Sequence, residues 1–300
     1  MIRIYVLLSL CVAYLMSCSN DEQTVKGIDE QFSVCRFDFP QGTTEVDKVI
    51  KEIHDSSGTY IIYKDIKEKD LTRSWTDPDG TSFEFELLDE SSVTKYVNFL
   101  QTCLFDQIKG QYCQYSCPVY FYLLKSLKSV KGARETILDL KTDGLDYWAL
   151  ALNEDELDNL QNIDFSSLKN RIIYPVLEIL VEKGIVTVPA IFYSGIDYET
   201  SISSDPDDYF GYYRDRGFVD FVDEDSFTSM SVPKLSRLAS NNGDLLSYIR
   251  IAIMLTEEEF GLEYVQEKCP LIHRRYGILT SHLKDNYGID LKAIAKVNKV

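Results

Sequence analysis

Residues 167–184, SLKNRIIYPVLEILVEKG, predict the helix around which the rest of the fold is arranged. The stretch is apolar, about as long as one ordinary helix, and ends on Gly184, a residue type that often follows a helix C-terminus. Its aliphatic residues recur at three- and four-residue steps, so one face of the helix should lie in a core. These residues are Ile172, Ile173, Val176, Leu177, Leu180 and Val181.

One carboxylate, Glu178, stands in the middle of this run. In helices of the HExxH type, two histidines four residues apart bind one zinc ion, and the glutamate after the first is the general base. The two histidine positions here hold Leu177 and Val181, whose side chains cannot coordinate a metal. The pattern alone favours an ordinary core helix with a solvated Glu178. The alternative is the central helix of a metallopeptidase fold that has lost its metal.

Length and composition indicate a globular protein, with 300 residues, of which 45% are hydrophobic and 26% charged. The net charge of −17 argues against a nucleic-acid partner, because binding to phosphates needs Lys and Arg. It argues equally against a polybasic membrane-binding surface. With 20 Tyr and only 3 His, the composition suits burial or ligand stacking better than metal chemistry. We expect no metal and no cofactor.

The N-terminus predicts a lipoprotein. Residues 1–17 carry one positive residue and then an apolar run too short for a comfortable membrane span. They lead into Leu15-Met16-Ser17-Cys18, which resembles a bacterial lipobox in which Cys18 carries fatty chains such as palmitate. Residues 1–17 would then be a signal peptide and residues 18–30 a lipid-anchored tether. A plain secretory signal or a short anchor is the alternative.

The acidic residues just after Cys18 resemble the surface-export signal of Bacteroidetes-type lipoproteins. The expected location is therefore the outer membrane, with the protein lipid-anchored and exposed at the cell surface.

Five cysteines remain when Cys11 and Cys18 are set aside, so at least one thiol is free even in an oxidising compartment. The spacing of Cys113 and Cys117 is not a recognised zinc spacing, and no second Cys/His pair lies near it. Buried apolar cysteines are the favoured interpretation, with a Cys113–Cys117 disulfide as the alternative.

Alternating and helical patterns divide the chain into elements. Strands are predicted at residues 31–39, 60–63, 83–87, 118–124 and 147–152, and a turn at 74–81. Helices are predicted at residues 46–54, 90–105, 167–184, 244–255 and 269–286, and residues 256–259 can cap a further segment. Strands dominate the first half and helices the second, which favours the α+β class.

Several stretches together resemble a known lipoprotein family. Residues 282–291, HLKDNYGIDL, resemble a family ending in which a helix runs into an aromatic-Gly-Ile-Asp-Leu close, and Gly217-Phe218-Val219 resembles a second family stretch. Phe192 and Tyr209 stand where the family has aromatic residues. The family is the substrate-import-associated zinc metallohydrolase lipoproteins, also described as zinc-binding metallopeptidases, which occur beside outer-membrane importers. The resemblance implies one metallopeptidase-like (zincin-like) domain over residues 31–300, with a mainly β-containing N-terminal half and a helical C-terminal half.

The zinc ligands of the family are not matched in this sequence. Family members hold zinc with the two histidines of HExxH and a carboxylate on a second helix, and the matching positions here are Leu177, Val181 and Ser247. Only Glu178, at the general-base position, is retained. A general base without a metal-bound water has nothing to activate in this mechanism. The resemblance therefore implies a degenerate member that has no catalytic residues and no metal site, with Glu178 as a vestigial position.

Other groups of residues have simpler explanations. The acidic residues at 205–208 and 220–225 could bind calcium, but they lack the arrangement of an EF-hand, and a solvated loop is favoured. Tyr209 and Tyr213, with their aromatic neighbours, could form a stacking platform for a sugar or peptide, although such clusters more often pack against a core. His54, His273 and His282 are expected at the surface.

Three hypotheses follow. The first is a non-catalytic, lipid-anchored accessory to an outer-membrane nutrient importer, which binds a peptide or glycan or contacts the importer complex. Its candidate ligand-binding residues are Glu178, Ser247, Tyr209 and Tyr213. The second is an active hydrolase that uses paired carboxylates, with Glu178 as one of them and no clear second. The third is a structural or adhesive surface lipoprotein without a small ligand.

Overall fold

The computed structural model describes residues 35–73, 81–152, 165–209, 211–233 and 241–297. The chain divides into two units, Met1–Asp38 and Phe39–Val300, and the fold described below belongs to the second. The predicted signal peptide and tether lie outside the described residues, as does most of the predicted turn at 74–81, so these remain predictions. Within the described ranges, no helix combines the length and the apolar character that a membrane crossing requires.

A mixed six-stranded sheet forms in the first half of the chain. Its strands are β1 (Tyr60–Ile62), β2 (Ser82–Leu87), β3 (Tyr120–Lys131), β4 (Arg134–Ile137), β5 (Leu140–Lys141) and β6 (Tyr147–Ala151). The long strand β3 is central, because its first half pairs in parallel with β1 and β6 and its second half pairs antiparallel with β2 and β4. Strand β5 pairs antiparallel with β6. The start of β3 and all of β6 are buried, as expected where both faces of a sheet are covered.

Helices occur in both halves of the chain. The first half has α1 (Glu45–Ser57), α2 (Glu68–Leu71), α3 (Glu90–Leu100) and α4 (Gly110–Ser116), with one π-helical turn at Gln101–Phe105. The second half has α5 (Phe165–Glu182), α6 (Asn241–Met254), α7 (Glu257–Glu263), α8 (Pro270–Tyr287) and α9 (Leu291–Lys296), with a 3₁₀ turn at Ala190–Phe192. The short strands β7 (Phe221–Val222) and β8 (Met230–Ser231) form a second sheet.

Most of the predicted elements are confirmed, including the central helix, which is α5. The predicted strand at 31–39 is wrong over its described residues, because residues 35–39 form no regular structure. Strand β3 continues to Lys131, and α9 was not predicted. The fold is a mixture of helices and strands, but the division into a strand half and a helical half is only loose, since α1 to α4 precede or interrupt the main sheet.

Helix α5 lies in the main core, packed against α4, α6 and the π-helical turn. The predicted apolar face is buried, and Leu177 and Val181 are only 2% and 4% exposed. Pro175 lies inside the helix and removes the amide that would donate to the carbonyl oxygen of Arg171.

A buried ion pair joins α6 to α8. Arg275 and Asp244 are 0% and 2% exposed, and Arg275 Nη2 donates to Asp244 Oδ2. The guanidinium also donates to Asp244 Oδ1 (3.4 Å), to the carbonyl oxygens of Phe192 (3.0 Å) and Gly217 (2.7 Å), and to the Tyr198 hydroxyl (3.2 Å). The Tyr198 hydroxyl donates to Asp244 Oδ2 at 2.6 Å. The Arg275 guanidinium therefore holds the segment that connects α5 to α6 against both α6 and α8.

Aromatic rings enclose the same cation. The guanidinium carbon of Arg275 lies 4.2 Å from the centre of the Phe192 ring and 4.5 Å from that of Tyr248. The Tyr248 hydroxyl donates to Gly217 O at 2.7 Å. Burial raises the pKa of the Tyr248 hydroxyl far above its usual value, and so this hydroxyl remains a hydrogen-bond donor.

The cysteines and histidines take structural positions. All five described cysteines are free thiols, so no Cys113–Cys117 disulfide forms. Cys103, Cys113 and Cys269 are buried as predicted, whereas Cys35 and Cys117 are half-buried. The expectation of surface histidines is wrong in detail, because all three are half-buried. The His54 ring stacks on Tyr60 with centres 4.0 Å apart, and His273 Nε2 contacts the carbonyl oxygen of Tyr264.

Replacing Arg275 by methionine should lower the free energy of unfolding by about 3–5 kcal/mol, because it leaves the Asp244 carboxylate buried without its cation. Arg274→Gln is the matched control, since Arg274 is an exposed neighbour on the same helix that contacts the carbonyl oxygen of Ser194. Urea denaturation of the three proteins measures the difference. Equal stability of the two variants would contradict the role assigned to Arg275.

Candidate functional site

A cleft of about 360 Å³ lies along one side of α5. Its walls come from α5, from the end of β5 and from the turn between β7 and β8. The lining residues are Leu140, Thr142, Arg171, Tyr174, Pro175, Glu178, Glu224, Asp225 and Phe227. Three carboxylates therefore open into one small cleft that also contains a phenol, an arginine and apolar surface.

The helical repeat of α5 determines which side chains reach the cleft. Arg171, Tyr174 and Glu178 recur at three- and four-residue steps, so they share one face of the helix. Leu177 and Val181 are four residues apart on a different face, which is packed in the core. Leu177 and Val181 therefore lie in the core, whereas Glu178 faces the cleft.

Arg250 on α6 connects the carboxylates of this cleft. Its Nη2 lies 2.5 Å from Glu224 Oε1 and 3.7 Å from Glu178 Oε1, and it also donates to the Tyr174 hydroxyl. The Tyr174 hydroxyl in turn donates to Glu178 Oε1 at 2.7 Å. The guanidinium carbon stands 4.5 Å from the centre of the Tyr174 ring. Arg250, Tyr174, Glu178 and Glu224 therefore form one connected group, which we call the Arg250 cluster.

Burial of Tyr174 sets the protonation of the phenol in the Arg250 cluster. Burial raises the pKa of Tyr174 far above its usual value, the Arg250 charge opposes this rise, and the hydrogen bond to Glu178 adds to it. Tyr174 is therefore a donor at all physiological pH values and keeps its bond to Glu178. The Nε of Arg250 is buried without a hydrogen-bond partner in the described parts of the chain, so one donor of the cluster is unused.

A second ion pair involves Arg171, which lies on the same α5 wall of the cleft as Tyr174 and Glu178. Arg171 donates from Nη1 and Nη2 to the two oxygens of Asp139, at 2.7 and 2.8 Å. Burial acts to raise the pKa of Asp139, but the hydrogen bonds and positive charge of Arg171 outweigh it and hold the pKa below its ordinary value. Asp139 neutralises the charge of Arg171, so the three lining carboxylates, Glu178, Glu224 and Asp225, give the cleft an excess of negative charge.

The residues at this site do not fit a catalytic zinc ion, which the resemblance to metallohydrolases would otherwise imply. Such an ion needs three protein ligands and an open position for water. The two positions that would carry histidines hold Leu177 and Val181, both in the core. Across the described ranges, no group of three or more His, Cys, Asp or Glu side chains is arranged to hold a metal.

Of the four predicted ligand-binding residues, only Glu178 lines this cleft. The Ser247 hydroxyl donates to the carbonyl oxygen of Gly243 at 2.9 Å, within its own helix. Tyr213 is buried in a small separate core with its hydroxyl on Asp220, and Tyr209 is 85% exposed. The structure therefore does not bring the four together.

The acidic residues at 205–208 are exposed, as the favoured solvated loop predicts, whereas three of those at 220–225 have other positions. Asp220 is buried and accepts hydrogen bonds from Tyr264 (2.5 Å) and Arg214 (2.8 Å). Glu224 and Asp225 line the cleft beside Glu178. Sequence reasoning considered Glu224 only as part of a possible calcium site or solvated loop, and it missed Arg250 as a site residue. The available signal was a single Arg within the apolar helix pattern at 244–255, where a charged residue needs a partner.

Comparisons with known proteins give little further information. No family model matches the sequence, and no curated protein matches it. Among solved structures, a crystal structure of a proposed zinc-binding metallopeptidase from Bacteroides caccae is similar, with 12% identity and a TM-score of 0.44. The match covers 86% of this chain and 93% of that chain. At this identity and TM-score the likeness carries no argument about chemistry, and membership of the family that the sequence resembles remains a prediction.

Proposed function

We propose that this protein is a non-catalytic, lipid-anchored binding protein of the bacterial cell surface, an accessory to the import of peptides or glycans across the outer membrane. The cleft beside α5 is its proposed ligand site. The observation that supports this proposal is the Arg250 cluster, in which Glu178 faces a fixed guanidinium instead of a metal ion. A guanidinium remains protonated and cannot supply an activated water, so the cleft offers recognition without the hydrolytic chemistry of zinc.

The chemistry of the cleft fits a ligand that donates hydrogen bonds. Glu178, Glu224 and Asp225 present carboxylate oxygens, and ionised carboxylates only accept hydrogen bonds. The amines of a peptide and the hydroxyls of a sugar are suitable donors. Pro175 adds a small apolar surface on which a sugar ring or an aliphatic side chain can pack, whereas Phe227 is only 3% exposed.

The alternative function is a hydrolase that uses two carboxylates, and one observation favours it. Glu224, which the sequence did not identify as a partner, lies with Glu178 within 4 Å of the same Arg250 nitrogen. Against it, both carboxylates bind one cation between them, whereas a carboxylate pair that cleaves glycosides must face each other across the substrate. Binding without turnover is therefore the function that this geometry supports better.

Titration of full-length protein in detergent with mixed peptide and oligosaccharide pools tests the binding function. We expect ligands that are recovered from the protein after binding to be uncleaved. Glu178→Gln should weaken binding roughly tenfold, because it removes a charge-assisted hydrogen-bond acceptor. Glu182→Gln is the matched control, because Glu182 is exposed one turn later on α5 and does not line the cleft. Ligand cleavage that is lost in both Glu178→Gln and Glu224→Gln would support the hydrolase instead.

The proposed anchor has its own test. Replacing Cys18 by serine should abolish labelling of the protein with radioactive palmitate and move it from the membrane fraction to the aqueous fraction, since serine offers no thiol for the lipid. Cys35→Ser is the matched control and should remain labelled. Equal labelling of the Cys18→Ser variant would rule out the lipidation site, and no labelling of the wild-type protein would rule out the lipoprotein proposal.

A further inference from the structure

Strand β4 lies at an open edge of the main sheet. It pairs with β3 on one side and, in the described parts of the chain, with no other strand. All of its residues are exposed, and the apolar side chain of Ile137 is 79% exposed. Proteins commonly protect such an edge with a proline, a lysine or a β-bulge. The sequence of β4, Arg134-Glu135-Thr136-Ile137, has neither proline nor lysine, and its register with β3 is unbroken.

The hydrogen bonds between β3 and β4 determine which backbone groups of β4 point outward. In an antiparallel pair, residues that exchange hydrogen bonds alternate with residues whose amide and carbonyl groups point away from the partner strand. The Leu138 amide donates to the carbonyl oxygen of Leu127 at 2.9 Å, so Thr136, two residues earlier, is also bonded to β3. The amide and carbonyl groups of Glu135 and Ile137 therefore point away from β3, and no backbone group of the described residues bonds to them.

A second copy of the same strand fits this edge in an antiparallel register. A two-fold axis places the outward-pointing residues of one copy opposite those of the other. If Glu135 lies opposite Ile137 of the second copy, two pairs of residues exchange hydrogen bonds and no like charges lie opposite each other within β4. Thr136 then lies opposite Thr136 of the second copy, and pairs of threonines stabilise antiparallel sheets. The edge is therefore complementary to itself in this register.

The two neighbouring registers fit less well. One places Glu135 opposite Glu135 of the second copy, which brings like charges together. The other places Glu135 opposite Asp139, whose carbonyl oxygen already accepts a hydrogen bond from the Ala151 amide at 2.8 Å. A foreign peptide also fits less well, because strand addition takes its specificity from side-chain pockets, and every residue of β4 is exposed. Charge and hydrogen bonding therefore favour a second copy in the register that pairs Glu135 with Ile137.

We propose that β4 is a self-association surface, through which two copies of this chain pair their β4 strands antiparallel and join their sheets. The outward amide and carbonyl groups of Glu135 and Ile137 form the hydrogen bonds, and the second copy covers part of the exposed Ile137 side chain. A short strand gives a small interface, so the association is weak and depends on concentration. The inference does not rest on the function proposed for the cleft beside α5, because no residue of β4 lines that cleft.

Disulfide cross-linking of the full-length protein tests the register. Opposite residues that exchange no hydrogen bonds have Cα atoms about 4.5 Å apart, within the range of a disulfide. Thr136→Cys should therefore form a disulfide-linked dimer under mild oxidation, and the wild-type protein gives the background from its own cysteines. Arg134→Cys is the matched control on the same face of β4, because its two copies would lie about 13 Å apart. Equal cross-linking of the two variants, or a cross-linked product that contains another protein, would overturn the proposal.

Two opposite charges at position 137 test the same pairing without a covalent bond. Ile137→Glu places a glutamate opposite Glu135 of the other copy, twice in each dimer, and should weaken association roughly tenfold. Ile137→Lys should strengthen association by a similar factor, because lysine then lies opposite glutamate. Sedimentation equilibrium of full-length protein in density-matched detergent measures both, and thermal unfolding should be unchanged because Ile137 is exposed. Equal weakening by the two substitutions, or a wild-type protein that stays monomeric at every concentration, would overturn the proposal.

Discussion

The position of α6 depends on the buried contact between Asp244 and Arg275. Removing both charges from water is costly, and the cost is offset here because carbonyl oxygens, a tyrosine hydroxyl and two aromatic faces surround the guanidinium. Asp244 is near the start of α6 and Arg250 follows further along the same helix. The contact that holds α6 against α8 therefore also fixes the position at which Arg250 contacts Tyr174 and Glu178 of α5.

A guanidinium at that position gives the cleft a permanent cation that cannot leave or bind water as a metal does. It holds Glu178 and Glu224 near one nitrogen and orients Tyr174 between Arg250 and Glu178. The acidic surface is therefore preorganised, and its existing hydrogen bonds lower the ordering cost of the ligand binding that we propose.

The sequence predicted the features that depend on local patterns, such as hydrophobic periodicity and helix capping. The periodicity of residues 167–184 identified α5, its buried face and the position of Glu178 within it, and the capping residues at Thr256 identified α7. It could not predict Arg250 and Glu224 as partners of Glu178, because they lie on distant segments and meet only through tertiary packing. The strand predicted at 31–39 was wrong over residues 35–39, where alternation alone did not supply a pairing partner.

The central claim is that the cation facing Glu178 is Arg250 and that no zinc ion binds there. The most direct test is a crystal structure of the protein grown with zinc, with diffraction data collected on both sides of the zinc absorption edge. The account predicts Arg250 Nη2 between the carboxylates of Glu178 and Glu224, with no anomalous peak within coordination distance of Glu178. An anomalous peak bound to Glu178, with Arg250 displaced from the cleft, would contradict it.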